Sequence, residues 1–333
     1  MRTLAAAVLL SLILGGCTVG PDYRRPDVET PRSWRIEEKD ARDVADTAWW
    51  EQMNDPVLND LVVAALRENK DVKIAAARVE EFSGRLSVSR GALLPQVGAG
   101  ASAGRERLSN KGLPPIPATS ATLGNLYQAS AGATWEIDLF GRLRRATEAA
   151  RADLLATEEG KRATILSLVG SVVGEYVNLR DLDKQLEIAR RTVQSREESY
   201  RIFRLRFQGG VISELELNQA KSEYEQALAT VPALERAVAQ QEHALSALLG
   251  RNPGAIPRGA AIDHLGQPTV PAGLPSDLLE RRPDIRQAEQ ELIAANARIG
   301  VARAQYFPSI SLTGALGGTS TDLSALFGGP ART

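Results

Sequence analysis

Between Ile165 and Leu248 the chain carries an apolar line that steps in alternating threes and fours. The outgoing arm reads Ile165, Leu168, Val172, Glu175, Leu179, Leu182, Leu186, Ala189, Val193, Arg196, Tyr200, Phe203 and Phe207. Only Glu175 and Arg196 break it. A 3.5-residue spacing held over about six heptads is the seam of a coiled coil, not the 3.6-residue face of a globular helix. Gly209-Gly210 stops the arm and permits the positive φ of a tight turn. After Ser213, a good N-cap, the line resumes through Leu217, Ala220, Tyr224, Ala227, Val231, Leu234, Val238, Gln241, Leu245 and Leu248. The stretch therefore predicts two long antiparallel helices over 142–250. The outgoing helix reaches about 100 Å at about 1.5 Å per residue. No single compact domain is that thick, and an ordinary structural coiled coil meets the pattern equally well.

Composition suits such helices. Aromatic residues make up 5 % of the 333 residues, and 40 basic residues balance 41 acidic ones in interleaved order. No basic block stands out, so a nucleic-acid partner is not expected. The single cysteine, Cys17, excludes an internal disulfide. It ends a short leader, in which Arg2 precedes an apolar run from Ala5 to Leu14 that is too short to span a bilayer. Leu14-Gly15-Gly16-Cys17 looks like a lipobox, with residues 1–16 as signal peptide and Cys17 acylated after cleavage. A plain secretory signal with a chance cysteine is the alternative. Residues 17–56 read as an extended strap from that anchor.

Helices are expected at 57–69 and 71–94, strands at about 96–107 and 125–139. The second strand alternates most cleanly. Tyr127, Ala129, Ala131, Ala133, Trp135 and Ile137 face one way, and Gln128, Ser130, Gly132, Thr134, Glu136 and Asp138 the other. Eleven residues of this kind suit a tilted membrane strand, apolar toward lipid and polar toward a lumen. Tyr127 and Trp135 are roughly 26 Å apart along it, enough to place one aromatic near each interface. An amphipathic hairpin on a soluble core also has period 2.

Residues 71–97 align without gaps on 284–310, an offset of 213. Asp71, Ala75, Arg85, Val88, Arg90 and Pro95 recur as Asp284, Ala288, Arg298, Val301, Arg303 and Pro308. The chain thus reads as a duplicated unit. A proline-rich linker, 251–283, joins a first repeat at 57–250 to a second at 284–333 (helix 284–307, strand about 309–318). Measured against the first repeat, the second lacks its other strand and hairpin, so the chain reads as a fragment or as the product of a truncated frame. Pro232, inside the return arm, is expected to kink or interrupt it.

Three stretches carry a family resemblance. Trp135-Glu136-Ile137-Asp138-Leu139-Phe140-Gly141-Arg142 resembles the strand-to-helix junction of TolC-like outer membrane factors. Leu278 to Arg286 and Ala294 to Ala302, running on to Ile310, resemble the start of their second repeat. The nearest branch is the NodT-type lipoproteins that serve resistance-nodulation-division pumps. The resemblance implies a mostly α fold with membrane β-strands. Long antiparallel helices would build an α-barrel, and β-hairpins would contribute to a twelve-stranded barrel shared by a homotrimer in the outer membrane. It also implies a periplasmic membrane-fusion adaptor and an inner-membrane pump as partners. Arg206, Phe207, Gln208, Gly209, Gly210, Val211, Ile212 and Ser213 resemble the family's periplasmic tip, where the adaptor would make contact; a plain helix-connecting turn fits the glycines too.

The expected role is a passive export duct for drugs or other small molecules, with no enzymatic step. His243 and His264 have no partners at metal or triad spacing, so neither a metal nor a cofactor is expected. A periplasmic coiled-coil lipoprotein without a pore, or the outer membrane part of a type I secretion system, would be the alternatives.

Overall fold

The computed structural model describes residues 18–28, 48–107, 109, 123–268 and 278–333. The leader, Cys17 and most of the strap lie outside them. Seven long elements follow in order: α1 (Pro56–Glu68), α2 (Lys70–Gly91), β1 (Gln96–Arg107), β2 (Leu123–Ile137), α3 (Arg142–Gln208), α4 (Glu214–Leu248) and α5 (Pro283–Ala304), with β3 (Ile310–Ser320) closing the series. They belong to two compact units. One comprises Met1–Pro26, Glu80–Ala156 and Ala288–Thr333; the other Asp27–Val79 and Thr157–Gln287.

In the second unit most heptad positions are covered, and so are Val169, Val173 and Tyr176 beside them on α3. Leu168, Val172 and Leu179 on α3 and Leu245 on α4 are buried, and the positions nearer the turn are half-buried apart from Arg196 and Phe207. The two polar interruptions of the outgoing arm have partners on the return arm. The Gln241 amide donates to the Glu175 carboxylate and to the Glu175 carbonyl oxygen at 2.8 Å, and the Asn178 amide donates to Gln241 Oε1 at 3.1 Å. Arg196 pairs with Glu223. Such polar layers fix the register of two helices that apolar contacts alone would let slide. Pro232 does not interrupt α4, which runs through it. The proline is on the solvent side, where the carbonyl it deprives of a partner can be hydrated, while Val231 and Leu234 stay in the seam.

Below the seam, Leu58, Leu61, Val62 and Ala65 of α1 pack with Val172, Tyr176 and Leu249 in the main core. The Asn69 side chain separates α1 from α2. Its Oδ1 accepts from the backbone N–H groups of Asp71 and Val72 at 2.8 and 3.1 Å, and its amide donates to the Leu248 carbonyl at 2.9 Å. Gly250 ends the return arm with φ +66°; a Cβ there would stand 2.3 Å from the Glu68 carbonyl oxygen, so both conformation and space demand glycine.

The proline-rich segment is tied to this core as far as it is described. Asp55 and Tyr176 are fully buried. Asp55 caps α1 through the Val57 N–H at 2.9 Å, and its other oxygen accepts from Tyr176 Oη at 2.7 Å and from the Ala260 N–H at 3.0 Å. Tyr176 Oη in turn accepts from the Gly259 N–H at 3.0 Å. Arg258 reaches Asp183 at 2.9 Å and Glu242 at 2.6 Å.

In the first unit, α2 and α5 are each 22 residues long, and their bounds are related by the 213-residue offset of the repeat. Both end earlier than the periodicity suggests. Gly91 closes α2 and Ala304 closes α5, and the next three residues of each form turns. Small buried residues, Ala149, Ala152 and Ala156 on α3 and Ala294, Ala297 and Gly300 on α5, allow close helix approach. Residues 18–25 lie across this helical layer. A Cβ on Gly20 would be 2.5 Å from Gly300 Cα, Asn296 donates to the Pro21 carbonyl at 3.0 Å, and Tyr23 and Arg25 both reach Glu289.

Candidate functional site

The sheet order is β1-β2-β3, antiparallel throughout. Its register decides what the alternation means. Ala133 pairs with Val97 and Gly314, Ala131 with Ala99 and Leu316, Ala129 with Ala101 and Gly318, Tyr127 with Ala103 and Ser320. Trp135 pairs with Leu312 and Ile137 with Ile310. Paired residues point to the same side of a sheet. The apolar positions of all three strands therefore merge into one face, while Gln128, Ser130, Thr134, Glu136, Ser311 and Thr313 form the other. A one-residue slip in either pairing would have mixed the two. Much of the apolar face is exposed: Val97 is 78 % exposed and Leu316 70 % exposed. Beyond β3 the chain turns back. Thr333 exchanges hydrogen bonds with Gly317, and Leu326, Phe327 and Arg332 edge a trough of about 820 Å³ over Ala99, Ala101, Ala129, Ala131 and Leu316.

β2 stops at Ile137, two residues before the sequence suggests, because Asp138 turns out to cap α3. Its carboxylate accepts from the backbone N–H groups of Leu143 and Arg144 at 3.1 and 2.9 Å. Glu136 holds Arg142 through contacts of 2.7 to 3.1 Å, Phe140 stacks on Phe307 at 4.6 Å between ring centroids, and Trp135 Nε1 donates to the Leu93 carbonyl at 3.0 Å. Each named residue of this junction thus has a mechanical task where strands meet helices. Thr18 sits against Gly141 here, whose φ is +78° and whose Cβ, if it had one, would lie 2.8 Å from Thr18 Cγ2.

At the other end of α3, the Gly210 N–H donates to the Phe207 carbonyl at 2.9 Å and the Val211 N–H to the Arg206 carbonyl at 2.9 Å. Gly210 has φ +72° in open space. Ser213 and Glu216 form a reciprocal capping box, with the Ser213 N–H donating to Glu216 Oε2 at 2.8 Å. Those hydrogen bonds hold the Glu216 carboxyl below the usual range. Leu205, Phe207, Val211 and Leu215 are exposed around the turn, and Tyr200 stacks on Tyr224 beneath it. His243 and His264 are exposed, and no group of metal-binding side chains occurs among the described residues. The buried Asp55–Tyr176 pair and its hold on 259–260 have no counterpart in the sequence analysis.

A helical hairpin of this length, joined through a capped and stacked junction to strands with one bare apolar face, defines a membrane-inserted export component. The family model for outer membrane efflux proteins matches residues 61–251 and 274–333, and the chain belongs to that family. It is 35 % identical to the toluene efflux pump outer membrane protein TtgC of Pseudomonas putida, over 98 % of this chain and 69 % of that one. It is 34 % identical to the cation efflux system protein CusC of Escherichia coli, over 96 % of this chain and 68 % of that one. Its structure matches the outer membrane channel CmeC of Campylobacter jejuni with a TM-score of 0.82 and 27 % identity, over 95 % of this chain and 68 % of that one. The fold is that of the outer membrane efflux channels, and the protein is the outer membrane channel component of a tripartite efflux pump, not an enzyme.

Proposed function

We propose that the chain supplies one protomer of a lipid-anchored homotrimeric duct that passively carries small molecules from an inner-membrane pump across the periplasm and the outer membrane. The observation that carries this reading is the merged apolar face of β1, β2 and β3. An apolar face that is largely exposed among the described residues suits lipid, and its hydroxyl- and amide-bearing reverse suits a water-filled lumen. The outer edge of β1, and that of β3 apart from the pairing of Gly317 with Thr333, have no strand partner among the described residues; lipid does not tolerate such edges, so the strands must close against further strands. Three protomers giving four strands each would close them as a twelve-stranded barrel.

Cys17 is the anchor in this reading. Its neighbour Thr18 contacts Gly141, four residues past the end of β2. The tip from Arg206 to Ser213 is the adaptor contact. Its exposed Phe207 and Val211 offer apolar area that no other described residue covers. The pump that the adaptor couples to is of the resistance-nodulation-division type. Cargo is chosen by that pump, because relatives named for toluene and for cations are equally similar to this chain.

One expression strain tests these assignments together. Cysteines at Ala129, Ala131 and Ala133 should react with lipid-soluble but not aqueous maleimides in proteoliposomes, and cysteines at Gln128 and Ser130 the reverse. A photo-cross-linker at Phe207 or Val211 should capture the adaptor, and palmitate labelling should vanish in Cys17→Ser. Equal aqueous reactivity on both faces of β2 would end the duct reading.

A further inference from the structure

We infer that Arg105 and Arg107 form a docking site for the phosphorylated glycolipid of the outer leaflet. The inference rests on the lipid-facing reading of the apolar sheet face. Arg105 pairs with Asn125 and Arg107 with Leu123, which puts both on the face of Val97, Ala99, Ala101, Ala103 and Tyr127. Glu106, between them, goes to the opposite face, where its carboxylate lies over Gly104. The Arg-Glu-Arg run is therefore sorted by sign, with two cations outward and one anion inward.

Depth comes from the register. From Val97 to Arg105 is roughly 26 Å along the strand, or about 20 Å of height at a tilt near 40°. α2 enters the sheet at Gln96 and α3 leaves it after Ile137, so both helices depart from the Trp135 end. The arginines occupy the opposite end, one step beyond Tyr127, at the level of the outer head groups.

Arg105 and Arg107 have no ion-pair or hydrogen-bond partner among the described residues, so their guanidinium groups are open to an anion. None of the three strands supplies a carboxylate to this face. Two guanidinium groups at the rim of an apolar band, unpaired among the described residues, match an anion that is itself anchored in lipid. Guanidinium forks bind phosphate oxygens in bidentate fashion. Asn125 and Tyr127 stand beside them and add an amide and a phenol to the same rim. A sugar lipid carrying phosphomonoesters supplies the charge and the acyl chains together.

The test uses the full chain extracted in mild detergent and titrated with purified bis-phosphorylated lipid A, with enzymatically dephosphorylated lipid A, and with inorganic phosphate, read by native mass spectrometry and by thermal unfolding. The phosphorylated lipid should bind about tenfold more tightly than the dephosphorylated one, the size of one lost charge-assisted contact. The double variant R105Q/R107Q should lose that margin, and E106Q should keep it. Equal binding of the two lipids to the unaltered chain overturns the site without recourse to any variant. So does an unchanged margin in R105Q/R107Q, or protection by inorganic phosphate equal to that by lipid. A cysteine at Ala131 on the same preparation separates the levels: reaction with aqueous reagents there refutes the lipid-facing sheet, whereas lipid-only reaction together with equal binding of the two lipids refutes the docking site alone.

Discussion

Replacing Asp55 with alanine should lower the unfolding free energy by about 4 kcal/mol. Losing the α1 cap costs about 1 kcal/mol, and leaving the Tyr176 hydroxyl and the Ala260 N–H unpaired in the core costs about 1–3 kcal/mol each. Tyr176 has no exposed surface, so water cannot restore those bonds. The same pair gives stability an alkaline limit. Burial, and next the hydrogen bond to Asp55, push the Tyr176 hydroxyl up to about 12 from an ordinary 10.0. Between those values the unfolded chain has released the proton that the folded chain still holds. Stability is therefore intact below pH 10 and drains as pH rises toward 12, by about 2–3 kcal/mol at 1.36 kcal/mol per unit. Tyr176→Phe should remove this slope while lowering stability at neutral pH. Urea unfolding of the full chain in detergent, repeated from pH 7 to pH 12, measures both. An Asp55→Ala midpoint within 1 kcal/mol of the unaltered chain would show that the buried pair holds nothing.

The contrast between that pair and the hairpin shows what a sequence makes visible. The seam is periodic, and periodicity is legible in the sequence alone: most residues at alternating three and four steps are covered on α3 and α4. Even its faults were in view, since Glu175 and Arg196 stand out as polar steps. Only coordinates supply their partners, Gln241 and Glu223. The Asp55 contacts join residues 121 and 205 apart, in segments with no repeat to set their phase, so nothing local announces them. The sheet lies between these cases. Alternation within β2 was legible, but a single strand cannot tell whether its neighbours put their apolar residues on the same side. That is a matter of register, which Ala131 opposite Ala99 and Leu316 decides. Strand and helix ends moved by a few residues wherever a side chain took a capping task, as Asp138 does. Pro232 does not interrupt α4, because a proline's effect depends on which side of the helix it occupies, and here the freed carbonyl is on the solvent side.

An arginine at position 131 should keep the protein out of the outer membrane, and an arginine at position 130 should not. Ala131 is four residues from both Trp135 and Tyr127, so it lies at the middle of the apolar band. A guanidinium on the lipid face at that depth costs about 2–4 kcal/mol in each protomer, and a trimer bears the cost three times. Ser130 is on the reverse face, opposite Gly100 and Gly317, where the missing side chains leave room for a long one to reach water. The two substitutions add the same charge and volume one residue apart, so a difference between them reports the face and nothing else. Membrane fractionation and the heat-modifiable trimer band on a cold gel should show Ala131→Arg in the soluble or degraded fraction and Ser130→Arg assembled. Export from intact cells should follow the same split. If the two variants assemble alike, the apolar face of β1, β2 and β3 does not touch lipid, and the sheet is not the wall of a pore.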